Sequence, residues 1–262
     1  MGDAWRLEEG EFENVPAGGE PSEAPVAVNR ADPLSPLTLR AIKVTADAVA
    51  APADGVATVL VKVGPIPIQM EDIPCALLSQ FCDGDFVNAY AELLRVRQMK
   101  IKSSIRRKPH YIFSTSFFYD QLVKKGTYDY AALRRWTTKE VVLMAHKTFI
   151  PVIITDAHWF LAVVVLAAGV VEFYDSMGHA QEKMGKRIAR WAKKQAAKHG
   201  LPKKKWRVDA MPCRVQENCD DCGVFMCRHM ELISKGESAV GWGGSSSYLR
   251  RRIAAELLSG SL

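Results

Sequence analysis

Apolar positions recur along the chain with distinct spacings, and each spacing predicts a different element. In FVNAYAELLRVRQMKI (86–101), Phe86, Tyr90, Leu93, Leu94 and Arg97 fall on one side of a 3.6-residue turn, which predicts a helix. QEKMGKRIARWAKKQAAKHG (181–200) places Met184, Ile188, Trp191 and Ala192 on one face and lysines and arginines on the other, with Gly200 and Pro202 as stop signals. CGVFMCRHMELISKG (222–236) and SYLRRRIAAELLSG (247–260) also read as helices. HYIFSTSFFYDQLVKKG (110–126) reads as a strand and then a helix ending at Gly126, and 128–146 as a further helical stretch. The pattern changes in FIPVIITDAHWFLAVVVLAAGVVEFYDSMG (149–178). It holds three nearly all-apolar runs rich in Val and Ile, broken at Thr155-Asp156-Ala157 and Ala167-Ala168-Gly169. Runs without a polar alternate face are expected of central strands covered on both sides. Residues 57–69 predict a strand, a turn and a second strand, and 206–212 another strand. The class expected is α+β, with a central mixed sheet in the second half flanked by helices.

Composition divides the chain in two. Residues 1–58 are rich in Pro, Ala, Gly and acids and poor in aromatics, which predicts a disordered tail with a short helix conceivable near 35–50. Residues 59–262 are expected to form one domain. The first 60 residues carry ten acids against four bases, so the remainder bears about +12 of the overall +6 charge. A basic body points to plain solubility, or to an acidic partner surface or nucleic acid. No apolar run approaches the roughly 20 residues of a membrane-spanning helix. The opening MGDAWRLEEGEFE lacks the apolar core of a secretion signal. An intracellular setting is therefore expected, with the six cysteines mostly reduced.

Candidate chemistry converges on three places. His158 opens one apolar run, and Asp175 closes the next, in EFYDSMG. If the two runs form a hairpin, both side chains reach the same end of the sheet. A carboxylate on Nδ1–H would then leave Nε2 free for a nucleophile. Cys222 begins a predicted helix, where the macrodipole favours a thiolate. Gln216, six residues earlier, could donate to an oxyanion with the Cys222 N–H. The Cys219-Cys222 pair also fits half a zinc site or a redox couple. No second well-spaced C-x-x-C supports zinc, and no thioredoxin-like context supports redox chemistry, so no metal and no cofactor are expected. His146, His179, His199 and His229 read as ordinary surface or helix-end histidines, and Trp136 and Trp191 as core residues.

With these residues assembled, the sequence resembles the Ulp/sentrin (SUMO-specific) protease family of papain-like cysteine peptidases. His158-Trp159, Asp175-Ser176 and Gln216…Asn218…Asp221-Cys222-Gly223 match its His-Trp, Asp-Ser and Gln-x-Asn-x-x-Asp-Cys-Gly blocks in order. FSTSFFYDQL, LRRWTT and YLRRRIAAELL are similar to further segments, so the likeness runs over about 200 residues. FCDGDFVNAY departs from the family block: Phe81 stands for a Trp, Asp83 for an Asn, Gly84 for an acid and Asp85 for a Glu. The resemblance implies a papain-like core and a triad of Cys222, His158 and Asp175 with Gln216 at the oxyanion. It also implies that Phe81 and Trp159 form a narrow aromatic lid over a substrate's Gly-Gly tail, with Asp83, Asp85, Asn218, Asp221 and Gly223 on the substrate side.

The function so implied is hydrolysis after the C-terminal Gly-Gly of SUMO or a related ubiquitin-like modifier, in precursors, conjugates or both. Alternatives of the same chemistry are a ubiquitin- or Nedd-type deconjugase and a viral or effector-type peptidase. An acetyltransferase using the same triad and an inactive binding module come from other classes. The expected partners are the modifier and its conjugates, with no membrane and no nucleic acid required, and a monomeric enzyme in the nucleus or cytoplasm.

Overall fold

The computed structural model describes residues 12–13, 43, 59–69, 72, 80–102, 110–124, 126–133, 145–154, 158–179 and 181–260. Most of the predicted tail, the helix expected near 35–50 apart from the helical Lys43, and Trp136 lie outside the described residues.

The described strands are β1 (Phe12–Glu13), β2 (Val59–Val63), β3 (Ile66–Gln69), β4 (His110–Phe113), β5 (Val123–Lys124), β6 (Thr127–Tyr128), β7 (Ala145–Ile154), β8 (His158–Val165), β9 (Val170–Tyr174) and β10 (Trp206–Ala210). The helices are α1 (Gly84–Lys102), α2 (Phe117–Leu122), α3 (Glu182–Lys198), α4 (Cys222–Lys235) and α5 (Ser246–Ser259). Six strands form one mixed sheet in the order β1-β10-β9-β8-β7-β4. β7, β8 and β9 are antiparallel neighbours, while β4 on β7, and β10 on β9, run parallel. β2 and β3 form a separate hairpin. Among the described residues no helix is long and apolar enough to cross a membrane.

The unbroken apolar run of β8 follows from its central place, because both of its faces meet protein. Trp159, Leu161 and Val163 join the core shared with α1, α4 and α5. The alternate residues Phe160, Ala162 and Val164 join a second core with α2 and α3. α3 lies close enough that a Cβ on Gly185 would fall 2.4 Å from both the Phe173 ring and Val208 Cγ1. Met184, expected on the buried face, is only half-buried, and Gly185 and Ala189 are buried beside Ile188, Trp191 and Ala192 instead.

Two expectations need correction. The helical stretch over 128–146 is not a single helix. Tyr128 ends β6, Ala131–Leu133 is one 3-10 turn, and Ala145 and His146 already belong to β7. The β-branched and aromatic run beginning at Thr148 draws the preceding residues into the sheet, where ladder bonds to β4 outweigh local propensity. His229, read as a surface or helix-end histidine, is fully buried between Phe225 and Trp242. Burial, helped by Arg228, pushes its pKa down to about 3, so it packs as a neutral ring.

A buried ionic cluster ties the helices together. Glu231 of α4 meets Arg97, Arg228, Lys235 and Arg252, and the Tyr90 hydroxyl donates to it at 3.5 Å. Burial alone would raise the Glu231 pKa. Arg228, Arg252 and Lys235 overcome it and hold the value at about 2.

Candidate active site

β8 and β9 pair with Leu161 opposite Tyr174, so the start of β8 and the end of β9 share one end of the sheet. His158 and Asp175 meet there, as the hairpin reading anticipated. The contact uses the other ring nitrogen, however: His158 Nε2 lies 2.8 Å from Asp175 Oδ1. Nδ1 is buried without a nitrogen or oxygen partner among the described residues. The Cys222 thiol is near enough to the imidazole to raise its pKa, and Nδ1 is the ring nitrogen not used on Asp175. The expectation of Nδ1 on the carboxylate is thus reversed. The reason is directional: His158 starts its strand, so its far nitrogen is the one that meets the carboxylate just past the end of β9.

The electrostatics of the pair are opposed and settled by hydrogen bonds. Burial pulls the His158 pKa down, but Asp175 and Cys222 together raise it to about 9. Burial pushes Asp175 up, and bonds from His158, Gln181 and the Met177 backbone bring it below its usual value. Gln181 Nε2 donates to Asp175 Oδ2 at 2.8 Å, and the Met177 N–H donates to Oδ1 at 2.8 Å. Three donors therefore fix the plane of the carboxylate. Gln181 had been read only as the lead-in to a helix, and its separation of six residues from Asp175 gave no periodic signal.

Cys222 is the first residue of α4 and is fully buried. Cys219 is exposed and, like Cys82, Cys213, Cys222 and Cys227, a free thiol. The loop before Cys222 is held from below. Asn218 Oδ1 accepts the N–H groups of Asp220 and Asp221 at 3.0 Å each, and its Nδ2 donates to Asp221 Oδ2 at 2.7 Å. Asp221 is itself fully buried, and Arg250 of α5 donates to its Oδ1 at 2.6 Å. Arg250 also reaches the carbonyls of Gln80 and Asp220, at 2.9 and 2.7 Å. Burial raises the Asp221 pKa, but Ser246, Arg250 and Asn218 hold it below its usual value. Asp221, expected on the substrate side, is spent on locking the nucleophile loop. Arg250 is a site-supporting residue that the sequence flagged only as part of an Arg-rich helix.

Gln216 is buried and oriented by Ser176, whose hydroxyl donates to its Oε1 at 2.5 Å. Its backbone N–H donates to the Ser176 carbonyl at 2.9 Å, and its Nε2 donates to the Asn218 carbonyl at 2.5 Å. With the amide oxygen tied to Ser176, the NH2 end faces the nucleophile loop. One of its two hydrogens is used on Asn218, which leaves the second for an oxyanion.

The aromatic pair is assembled. Phe81 stacks on Trp159 with ring centroids 6.3 Å apart and planes at 17°. Trp159 is 1% exposed and donates from Nε1 to the Cys82 carbonyl at 2.7 Å. Gly223 sits under this contact: an added Cβ would lie 2.8 Å from Cys82 Cβ and 3.2 Å from Trp159 Cδ1. The absent side chain lets the first turn of α4 reach the lid. Asp83 accepts the Phe86 N–H at 2.8 Å, as the cap of α1. Asp85 stands exposed in the first turn of that helix. Asn218 is exposed, and Gly223 is buried.

His179, read as an ordinary surface histidine, packs edge-on against the His158 ring at 5.8 Å. His158, Asp175 and His179 form the one group among the described residues whose ligand atoms gather within 4.8 Å, as a metal ion would require. Two of the three are already joined by a hydrogen bond.

Comparison with known proteins places the chain in a family. Residues 82–258 match the Ulp1 protease family, C-terminal catalytic domain. An Arabidopsis thaliana protein provisionally named ubiquitin-like-specific protease 1B is 31% identical over 203 residues, covering 74% of this chain and 58% of that protein. Ubiquitin-like-specific protease ESD4 of the same plant is 29% identical over 203 residues, 74% of this chain and 40% of its own length. The chain thus spans about half the length of these relatives. Among solved structures, the Ulp1-like SUMO protease catalytic domain of Chaetomium thermophilum superposes with a TM-score of 0.71 at 22% identity, over 89% of this chain and 92% of that one. The yeast Ulp1 protease domain, solved in complex with the SUMO orthologue Smt3, gives 0.69 at 18% identity, over 84% and 95%. These likenesses fix the fold, and the match over residues 82–258 fixes the kinship: the chain belongs to the Ulp1 protease family.

Proposed function

We propose that this protein is a cysteine peptidase and isopeptidase that cleaves after the C-terminal Gly-Gly of SUMO or a related ubiquitin-like modifier. The carrying observation is the line Asp175–His158–Cys222: one nitrogen of the buried imidazole is held by Asp175, the other is left over, and Cys222 is near enough to act on the ring. With its pKa raised to about 9, His158 is an imidazolium at neutral pH, and the proton it holds is the one Cys222 gives up. Asp175, kept ionised, faces that positive ring.

The thiolate attacks the glycine carbonyl carbon, and the carbonyl electrons move to oxygen. The free hydrogen of the Gln216 amide and the Cys222 N–H receive that oxyanion. As the tetrahedral intermediate collapses, the C–N bond breaks and His158 Nδ1 hands its proton to the leaving amine. Water then attacks the thioester and gives one proton to His158, and the thiolate leaves. Phe81 and Trp159 set the width of the channel. A glycine passes beneath stacked rings, whereas a side chain at either residue would meet them. A relative named for ubiquitin-like-specific protease activity and a related protease domain solved with a SUMO orthologue support this substrate class. The same reading takes the enzyme as a monomer that works in the nucleus or cytoplasm without nucleic acid.

The test is a panel of C-terminal electrophile probes built on SUMO, ubiquitin and a Nedd-type modifier, incubated with the wild type and with Cys222→Ala. A probe that shifts the wild type and not the variant identifies nucleophile and modifier together. Should no probe react while iodoacetamide still alkylates Cys222, the reading of a ubiquitin-like substrate fails.

A further inference from the structure

His179 follows Asp175 by four residues and is brought back over it by a tight turn. The Gly178 N–H donates to the Asp175 carbonyl at 3.0 Å, and Gly178 has a φ of 72°, which a residue with a side chain rarely adopts. The turn returns the exposed His179 ring edge-on to His158, with centroids 5.8 Å apart. One ligand atom from each of His158, Asp175 and His179 lies within 4.8 Å of the other two. Two imidazoles and a carboxylate are a donor set suited to Zn2+, and three protein ligands leave its fourth position to water. The catalytic line uses His158 and Asp175 but gives no reason for His179 to stand beside them.

Support for an ion is already built around the carboxylate. Carboxylates that hold a metal are themselves hydrogen-bonded. Asp175 accepts from Gln181 Nε2 and from the Met177 N–H, at 2.8 Å each. Around a tetrahedral ion, ligand atoms about 2.1 Å from the metal stand about 3.4 Å from one another. His158 Nε2 and Asp175 Oδ1, now 2.8 Å apart, need to open by only about 0.6 Å to meet that geometry. His179 is exposed, so rotation of its side chain can close the remaining distance.

We propose that His158, Asp175 and His179 form an inhibitory site for Zn2+. The ion takes the place of the Nε2 proton of His158, which passes to solvent. In the reaction, Nδ1 has to give a proton to the leaving amine and take one back from water. With Zn2+ on Nε2 the ring holds a single proton, on Nδ1, and releasing it would leave an imidazolate anion. Proton transfer stalls, and a chelator that removes the ion restores it. No cysteine takes part in the site. The inhibition rests on the peptidase reading, whereas the ion site itself does not.

Two measurements test this. In the first, hydrolysis of a modifier substrate is titrated with Zn2+, each protein against its own metal-free rate. Replacing an outer-shell partner of a metal ligand typically costs about 10–100-fold in affinity, and losing a ligand costs no less. His179→Ala is therefore expected to need at least about tenfold more Zn2+ for half-inhibition, and EDTA to restore the wild-type rate. Half-inhibition at one concentration in both proteins overturns the proposal, because the ion is then held elsewhere, as by a thiol. Inhibition that EDTA does not reverse overturns it as well. The second measurement is equilibrium dialysis of Cys219→Ser/Cys222→Ala against Zn2+, in which these two thiols are gone and no turnover is needed. One ion per chain is expected to bind, and adding His179→Ala is expected to weaken it by a similar factor. No binding, or binding that His179→Ala leaves unchanged, overturns the site. A protein that binds the ion in this way but turns over no modifier substrate loses the peptidase reading and keeps the site.

Discussion

His158, at the start of β8, and Asp175, just past the end of the neighbouring antiparallel β9, meet through Nε2 and Oδ1 at 2.8 Å, which leaves Nδ1 as the ring nitrogen not used on the carboxylate. The pH dependence of the protein follows from this bond. His158 titrates near 9 in the fold against 6.5 when free. Its contribution to stability is thus complete below about pH 6.5 and is lost as the pH rises through 9. The alkaline limb of kcat/KM should fall in the same region. Asp175→Asn removes a raising influence, so the limb is expected to move to lower pH while kcat drops on the order of 10²–10⁴-fold. A profile that loses rate but keeps its limb near 9 would show that Asp175 does not set the base.

Gln181 acts on the reaction only through Asp175. Gln181→Ala removes one of the bonds that lower the Asp175 pKa, so the carboxylate should protonate at higher pH. The expected result is an acid limb of kcat/KM shifted upward, about a tenfold fall in kcat and an unchanged KM. A uniform loss with no movement of the limb would assign Gln181 to packing alone.

Arg250 is buried against Asp221 and two backbone carbonyls. Removing one partner of a buried ion pair typically costs about 3–5 kcal/mol. Arg250→Ala should therefore lower Tm strongly and abolish probe labelling. Arg250→Lys should recover little, since one ammonium cannot reproduce the planar fork that serves three acceptors. Thermal unfolding of the two variants beside wild type checks this directly.

Gly223→Ala puts a methyl 2.8 Å from Cys82 Cβ. Overpacking of this kind costs about 1–3 kcal/mol. The shift falls on Trp159 as well, so kcat/KM for a Gly-Gly substrate should decline more than the stability change explains. Denaturant unfolding and kinetics on one preparation separate the two effects.

The lid is tested through Phe81. Phe81→Ala leaves the Trp159 bond to Cys82 in place but removes the facing ring. KM for Gly-Gly substrates should rise, and substrates ending Gly-Ala should gain relative to them. If Gly-Ala cleavage stays at its wild-type ratio, Phe81 does not select against side chains.

Some of this was legible from residue order alone. The all-apolar runs at 149–178 marked central strands because a strand covered on two faces has no polar alternate. The candidates His158, Asp175, Gln216 and Cys222 could be picked out because each sits at the start or end of a patterned segment, where a side chain can leave the core. Periodicity could not show the tertiary choices. Which imidazole nitrogen meets the carboxylate depends on the directions in which β9 and α4 approach His158, and no spacing encodes a direction. Arg250 lies 29 residues from Asp221, and Gln181 belongs to a different segment from Asp175, so their roles exist only once the chain has closed on itself. His229 was misplaced for the same reason: its helix is buried on nearly every side, and a helix without a solvent face carries no amphipathic signal from which to judge depth. The sequence by itself thus determined the elements and the chemical groups available, through local pattern. Packing between distant segments decided their pairing, burial and charge.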